Sequence, residues 1–206
     1  MIISSVKPLG KKRYRIQRED GLTLALYQGE LFKYHLQEGS ELPDSTVEEI
    51  VKTILCKRAE NRLLLVLQKK DYTEKQLIQK LREGYYPQEA IEYAITKMKE
   101  FGYVDDNRYA ENYIRYRIDH KSQKQITQEL VLKGIKKDYV DQAFLAVAEE
   151  GYAFDEMALI KKVLDKRHFD AKTADYKERS KQYNYLLGKG FSRENIQKAL
   201  SLDLFS

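Results

Sequence analysis

Displacing the chain by 49 residues lays one stretch over another without a gap, and this internal copy restricts the possible folds more than any other feature. Thr73 falls on Ser122, Leu77 on Ile126, Leu81 on Leu130, Ile91 on Val140, Ala94 on Ala143, Ile95 on Phe144, Gly102 on Gly151, Tyr103 on Tyr152 and Asp106 on Asp155. A weaker third copy follows at a shift of 56, placing Leu186, Ile196, Ala199 and Leu200 under Leu130, Val140, Ala143 and Phe144. Its seven extra residues lie before Leu186, as a lengthened helix or loop. Repeated units that share a continuous core build an elongated, curved array with broad faces, a shape suited to gripping something long. A deep reaction pocket is not the natural product of that architecture.

Residues 1–45 read differently from the rest. Ile2 to Val6, Tyr14 to Gln17 and Leu22 to Tyr27 are strand-like, and Glu19-Asp20-Gly21 is a hairpin turn because Asp-Gly readily takes positive φ. Glu30 to Leu36 fits a short helix stopped by Gly39, and Pro43-Asp44-Ser45 closes this small β-containing extension. From Val47 onward the apolar spacing is helical, as in Val47, Ile50, Val51, Ile54 and Leu55. The expected organisation is therefore mainly all-α: an extension over 1–45 and three tandem three-helix repeats over 46–104, 105–153 and 154–206.

Within the second repeat the spacing predicts helices near Asp106–Asp119, Ser122–Lys133 and Asp138–Glu149. Thr73 with Gln76 and Ser122 with Gln125 fit the capping box, in which a hydroxyl accepts from an orphan backbone N–H. Asp106 and Asp155 suit the N-cap of the first helix, and Gly84, Gly134 and Gly190 the left-handed residue that ends the middle one. The recurring apolar positions are packing positions, and Ala94, Ala143 and Ala199 permit close helix approach.

No constellation in the chain points to catalysis. His35, His120 and His168 are scattered, Cys56 stands alone as a small core residue, and Gly188-Lys189-Gly190 lacks the rest of a phosphate loop. Asp105-Asp106 point apart and suit capping better than an acid pair. The expectation is a non-enzyme without cofactor or metal. A single cysteine, no leader-like opening and no apolar run near the ~20 residues needed to cross a bilayer place it in the cytoplasm.

Basic residues interleaved with aromatics remain, on a chain that is 33% charged with a net charge of +5. In the second repeat Arg108, Arg115, Arg117, Lys121, Lys124, Lys133, Lys136 and Lys137 accompany Tyr109, Tyr113 and Tyr116. Arg108 and Arg115 share a helix face beside a tyrosine stripe, while Glu111, Asp119 and Glu129 are placed to neutralise part of the patch. A second cluster, Lys7, Lys11, Lys12, Arg13, Arg15 and Arg18, has no acidic residue within it. Such a ribbon either touches phosphates or protects an edge strand from pairing.

Phe101-Gly102-Tyr103-Val104-Asp105-Asp106-Asn107-Arg108-Tyr109-Ala110, with Lys133-Gly134-Ile135 downstream, resembles the bacterial regulatory RecX family over essentially the whole chain. Lys69-Lys70-Asp71-Tyr72-Thr73-Glu74-Lys75-Gln76-Leu77 resembles that family's approach to the middle helix of the first repeat. The resemblance implies a modulator of RecA, lying in the groove of the RecA filament on single-stranded DNA and lowering its ATPase, recombinase and coprotease activities in DNA repair and the SOS response. The expected partners are RecA and single-stranded DNA, directly or through the filament, with the chain a monomer. Arg108, Arg115, Arg117, Lys121, Lys124, Lys133, Lys136 and Lys137 form the expected grip, helped by Lys11, Lys12, Arg13 and Arg15. The competing reading is a helical-repeat module that binds single strands on its own.

Overall fold

In the computed structural model, which describes residues 1–200, the chain divides into two compact units at Asp105/Asp106. The end of the expected third repeat, 201–206, lies outside the described residues.

The first unit opens with an antiparallel sheet in the order β1 (Ile3–Gly10), β2 (Arg13–Arg18), β3 (Thr23–Tyr27). The Asp20-Gly21 turn forms as the sequence predicts, with Gly21 at φ +89°. The other hairpin is less orthodox: Lys11 and Lys12 hold φ of 51° and 58° between the paired Gly10 and Arg13. Both central residues of a type I′ turn need positive φ, which favours Asn-Gly and strains a side chain with a Cβ. Lys11→Asn with Lys12→Gly is therefore expected to raise the stability of the protein by about 1–2 kcal/mol in urea unfolding.

Helix α1 spans Gln28–Lys33, earlier than the spacing suggests, because the Glu30 carboxylate reaches back 2.7 Å to accept from the Tyr27 N–H. The chain then runs as one helical rod through α2 (Asp44–Ile50), a π-helical turn (Val51–Leu55) and α3 (Cys56–Leu67). Helices α4 (Glu74–Arg82) and α5 (Gln88–Glu100) complete the first three-helix set, α5 packing on α3. Sheet and helices share one core, in which Ile3, Ile16, Leu24 and Leu26 meet Ile50, Leu55, Leu63, Leu77 and Met98. Residues 1–45 thus pack as part of the first unit's interior.

Arg18 is a correction to the basic ribbon. It is 6% exposed and donates to Asp20 and Asp44, each at 2.6 Å, and to the Leu42 carbonyl at 3.1 Å. Asp20 is held down to about 2 by its hydrogen bond from this guanidinium. The reason lies in strand alternation: Ile16 and Arg18 point to the covered face, so Arg18 needs partners there.

The second unit holds α6 (Asp106–Arg117), α7 (Gln123–Leu132) and α8 (Lys137–Glu149), followed by α9 (Glu156–Lys166), α10 (Tyr176–Gly188) and α11 (Arg193–Ala199). Each helical trio has its own core, and Phe154 packs against both. The repeat is visible in burial: Leu77 and Ile126, Leu81 and Leu130, and Leu186 in the third copy are all 0% exposed. Thr73 and Ser122 cap α4 and α7 through the expected boxes, with their N3 glutamines answering. Asp155 caps α9 by accepting from Ala158 N at 2.9 Å. Asp106, by contrast, is itself the first residue of α6 and lies in its first turn. In this helix the deep core pairs Ala110 with Ile160 and Ile114 with Leu164, one position beyond the 49-residue register, so that Asp105 falls on Asp155.

The left-handed corner after the middle helix also corrects one expectation. Gly134 and Gly190 have φ of +103° and +82°, but in the first repeat Tyr85 takes that conformation, at +57°. Gly84 precedes it with negative φ and serves packing, since a Cβ there would stand 2.9 Å from the Tyr86 ring. The residue after each corner, Tyr86, Ile135 or Phe191, inserts into the core. Gly190 is close-packed too, its corner seated on the start of α7: Ser122 Oγ donates to the Lys189 carbonyl at 2.6 Å.

Candidate partner-binding faces

The head cluster separates into two roles around β2. Lys11 and Lys12 stand exposed at the hairpin tip. Arg13 and Arg15, one strand period apart, turn instead toward the α4–α5 corner. Arg13 donates to the Gly84 carbonyl and lies 6.0 Å from the Tyr86 ring centroid, while Arg15 lies 5.5 Å from that of Tyr85. Both are anchors within the first unit, and the Nε of each is buried without an acceptor among the described residues.

On α6 the helical period sorts the predicted patch into two stripes. Arg115 belongs with Arg108, and it is neutralised: its Nε and Nη2 bind Glu150 at 2.7 and 2.6 Å, Nη2 also reaches Glu111 at 3.2 Å, and Nη1 donates to Asn112 at 2.8 Å. The bidentate grip of Glu150 raises the Arg115 pKa and lowers that of Glu150 in turn. With two carboxylates on its guanidinium, Arg115 does not present a free charge to a partner. Arg108 is exposed on the same stripe.

The other stripe carries Tyr109, Tyr113 and Arg117 at four-residue intervals. The two rings stack at 6.2 Å with 12° between their planes, and Arg117 lies 5.6 Å from the Tyr113 ring and 5.1 Å from that of Tyr116. Lys133, at the end of α7, reaches over the same rings, 5.4 Å from Tyr113 and 6.0 Å from Tyr109. Beneath them Glu129 accepts from Tyr113 Oη at 2.7 Å and from Lys121. Burial pushes the Glu129 carboxyl up, but the hydrogen bonds from Lys121 and Tyr113 outweigh it and hold the group below its usual range. Tyr116, expected in the tyrosine stripe, lies off it and is 72% exposed.

Of the predicted cations in this repeat, Arg115, Lys121, and Lys137 with Asp141 at 3.0 Å, are thus occupied by ion pairs. Lys124 and Lys136 are exposed and have no carboxylate partner among the described residues. Arg117 and Lys133 converge on Tyr113 and form a cationic aromatic ledge. The sequence groups all these residues in one patch; ion pairs divide them, and of the three cations so held Arg115 alone is paired with a second helix, through Glu150.

Burial and the bond to Glu129 push the Tyr113 hydroxyl up to about 12. A phenol whose ionisation is harder in the folded chain binds its proton longer than the unfolded chain does, so stability should fall as pH rises from about 10 to about 12. Tyr113→Phe should flatten that alkaline limb of the melting temperature against pH.

These features define a class, a tandem three-helix-repeat protein with a small β-sheet at its N-terminal end. Models of the RecX first, second and third three-helix domains match residues 59–98, 105–143 and 155–200. Regulatory protein RecX of Caldanaerobacter subterraneus subsp. tengcongensis is 32% identical over 173 residues, covering 83% of each chain. That of Clostridium acetobutylicum is 32% identical over 181 residues, 85% of this chain and 82% of the relative. A crystal structure of regulatory protein RecX superposes with a TM-score of 0.60 at 24% identity, covering 98% of this chain and 99% of the other. The chain belongs to the RecX family of regulatory proteins.

Among the described residues no helix is long and apolar enough to cross a membrane.

Proposed function

We propose that this protein regulates RecA by lying along the groove of the RecA filament on single-stranded DNA, where it lowers ATP hydrolysis, strand exchange and coprotease activity. The observation that carries the reading is the ledge of Arg117 and Lys133 over Tyr109 and Tyr113, on a repeat protein of the RecX family. Cations held over aromatic rings combine positive charge with rigid contact area, which suits a surface of mixed acidic and apolar character. Three repeats on one chain let several weak contacts add as avidity. On this reading the protein is a non-enzyme that acts as a cytoplasmic monomer, and the DNA is met directly or through the filament.

The test is a titration of the protein into preformed RecA filaments while ATP hydrolysis and co-sedimentation are followed. Hydrolysis should fall as the protein sediments with the filament. If binding runs through the protein surface, its salt dependence should be shallower than the slope of about −0.7 per phosphate expected for contacts to single strands. Undiminished hydrolysis with no co-sedimentation overturns the proposal.

A further inference from the structure

A second concentration of positive charge lies in the first unit. A cleft of about 460 Å³ opens beside α3, lined by Tyr27, Arg58, Arg62, Leu65, Lys69 and Lys80, with Arg13 and Tyr86 at its inner edge. That volume falls within the roughly 300–1,000 Å³ usual for small-molecule sites. Arg58, Arg62, Leu65 and Lys69 recur at helical spacing, so the wall is one face of α3 and the turn that follows it.

Charge in the cleft is largely uncompensated. Arg58 is held by Glu30 and lies 4.8 Å from the Tyr27 ring. Arg62, Lys69 and Lys80 have no carboxylate partner among the described residues, and Lys80 rests 4.9 Å from the Tyr72 ring. Arg13 contributes the buried Nε that lacks an acceptor. None of the lining residues is acidic, so almost every polar group offered is a donor.

Apolar surface is exposed at the same place. Leu65 is 63% exposed and Tyr27 43%, both lining the cleft with the Arg58 guanidinium. A donor-rich wall beside a flat apolar strip matches a group that only accepts, attached to a planar ring. An acidic peptide fits less well, because its backbone N–H groups would need acceptors and the lining supplies few.

We propose that this cleft binds a nucleotide, with phosphate against Arg62, Lys69 and Lys80 and the base on the strip formed by Tyr27 and Leu65. The nucleotide is either free or a unit of an unpaired DNA strand, which share this chemistry. The proposal does not rest on the RecA reading, and its test contains no RecA, so either can fail alone.

The full chain is titrated, without RecA, with ATP, a short oligothymidylate, an abasic deoxyribose-phosphate oligomer of equal length, and an oligoglutamate peptide. Arg62→Gln with Lys69→Gln, both exposed positions, should weaken nucleotide binding by about tenfold or more, and the salt slope on a strand should shrink by roughly 0.7 for each phosphate no longer neutralised. Lys177→Gln with Lys181→Gln, exposed on α10, should leave it unchanged. Leu65→Gln should narrow the gap between oligothymidylate and the abasic oligomer, which a purely ionic patch would not show. Tighter binding of ATP identifies the free nucleotide as the source, and tighter binding of oligothymidylate the strand. No binding of either, equal weakening by the α3 pair and the α10 pair, or equal binding of oligoglutamate overturns the proposal.

Discussion

Arg117→Gln combined with Lys133→Gln is expected to require about tenfold more protein for half-inhibition of RecA ATP hydrolysis, a loss of about 1.4 kcal/mol of binding. Both side chains sit over Tyr113, at 5.6 and 5.4 Å, so the pair removes the charge of the ledge and leaves its rings in place. Glutamine keeps part of each aliphatic stem and should preserve helical content. The informative comparison is Arg115→Gln. Its guanidinium is spent on Glu150 and Glu111, so its replacement should lower thermal stability while inhibition by the folded protein stays near that of the parent. Loss of inhibition by the folded Arg115→Gln variant, with the ledge variant unimpaired, would place the contact on the Arg108–Arg115 stripe and remove the ledge from the mechanism.

Gln182→Ala should destabilise the second unit by about 2 kcal/mol or more in urea unfolding. The third repeat carries Gln182 where the earlier copies have Leu77 and Ile126, and it is only 4% exposed. Burying an amide there is tolerated because its Oε1 accepts from Arg167 Nε at 2.6 Å, while the guanidinium lies 3.9 Å from the Tyr185 ring. Truncating the glutamine both opens space and strands a donor. Replacing the two partners together, Gln182→Leu with Arg167→Leu, restores the apolar residue of the other repeats and should recover most of the loss. A double variant no more stable than Gln182→Ala would show that the hydrogen bond is not what makes this site polar.

The same residue explains why the third copy is faint in the sequence. Periodicity finds a repeat by its apolar slots, and Gln182 empties one of them while the extra turn at the start of α10 shifts the cap from the Ser122 position to Asp175. The first two copies are plain because Leu77 and Ile126, Leu81 and Leu130, and the Thr73 and Ser122 boxes depend on local chemistry that needs no tertiary partner. The corner at Tyr85 was hidden for a different reason. Glycine signals positive φ only where the chain uses glycine, and here a tyrosine bears the strain in contact with Arg15.

Charge was less legible than fold. The carboxylates Glu111 and Glu129 are near enough in sequence to be suspected, but Glu150 is 35 residues from Arg115 and meets it only because α8 packs on α6. Asp44 likewise reaches Arg18 from a different element. The cleft beside α3 leaves no trace in the sequence, since its cations come from β2, α3 and α4 and form no run along the chain.

The π-helical turn at Val51–Leu55 has a consequence for how this chain tolerates length changes. An i→i+5 ladder houses one residue more than an α-helix would over the same rise, so it acts as a phase adjuster between Asp44–Ile50 and Cys56–Leu67. Deleting one residue there would let the rod close into a uniform α-helix with everything beyond it nearly in its present phase, because the five π-helical residues turn the chain about as far as four α-helical ones would. Ala59 and Leu63 would stay in the interior and Arg58 and Arg62 beside Tyr27, so a single-residue deletion in this turn should be tolerated far better than one inside Cys56–Leu67, which would rotate the helix beyond it by about 100°.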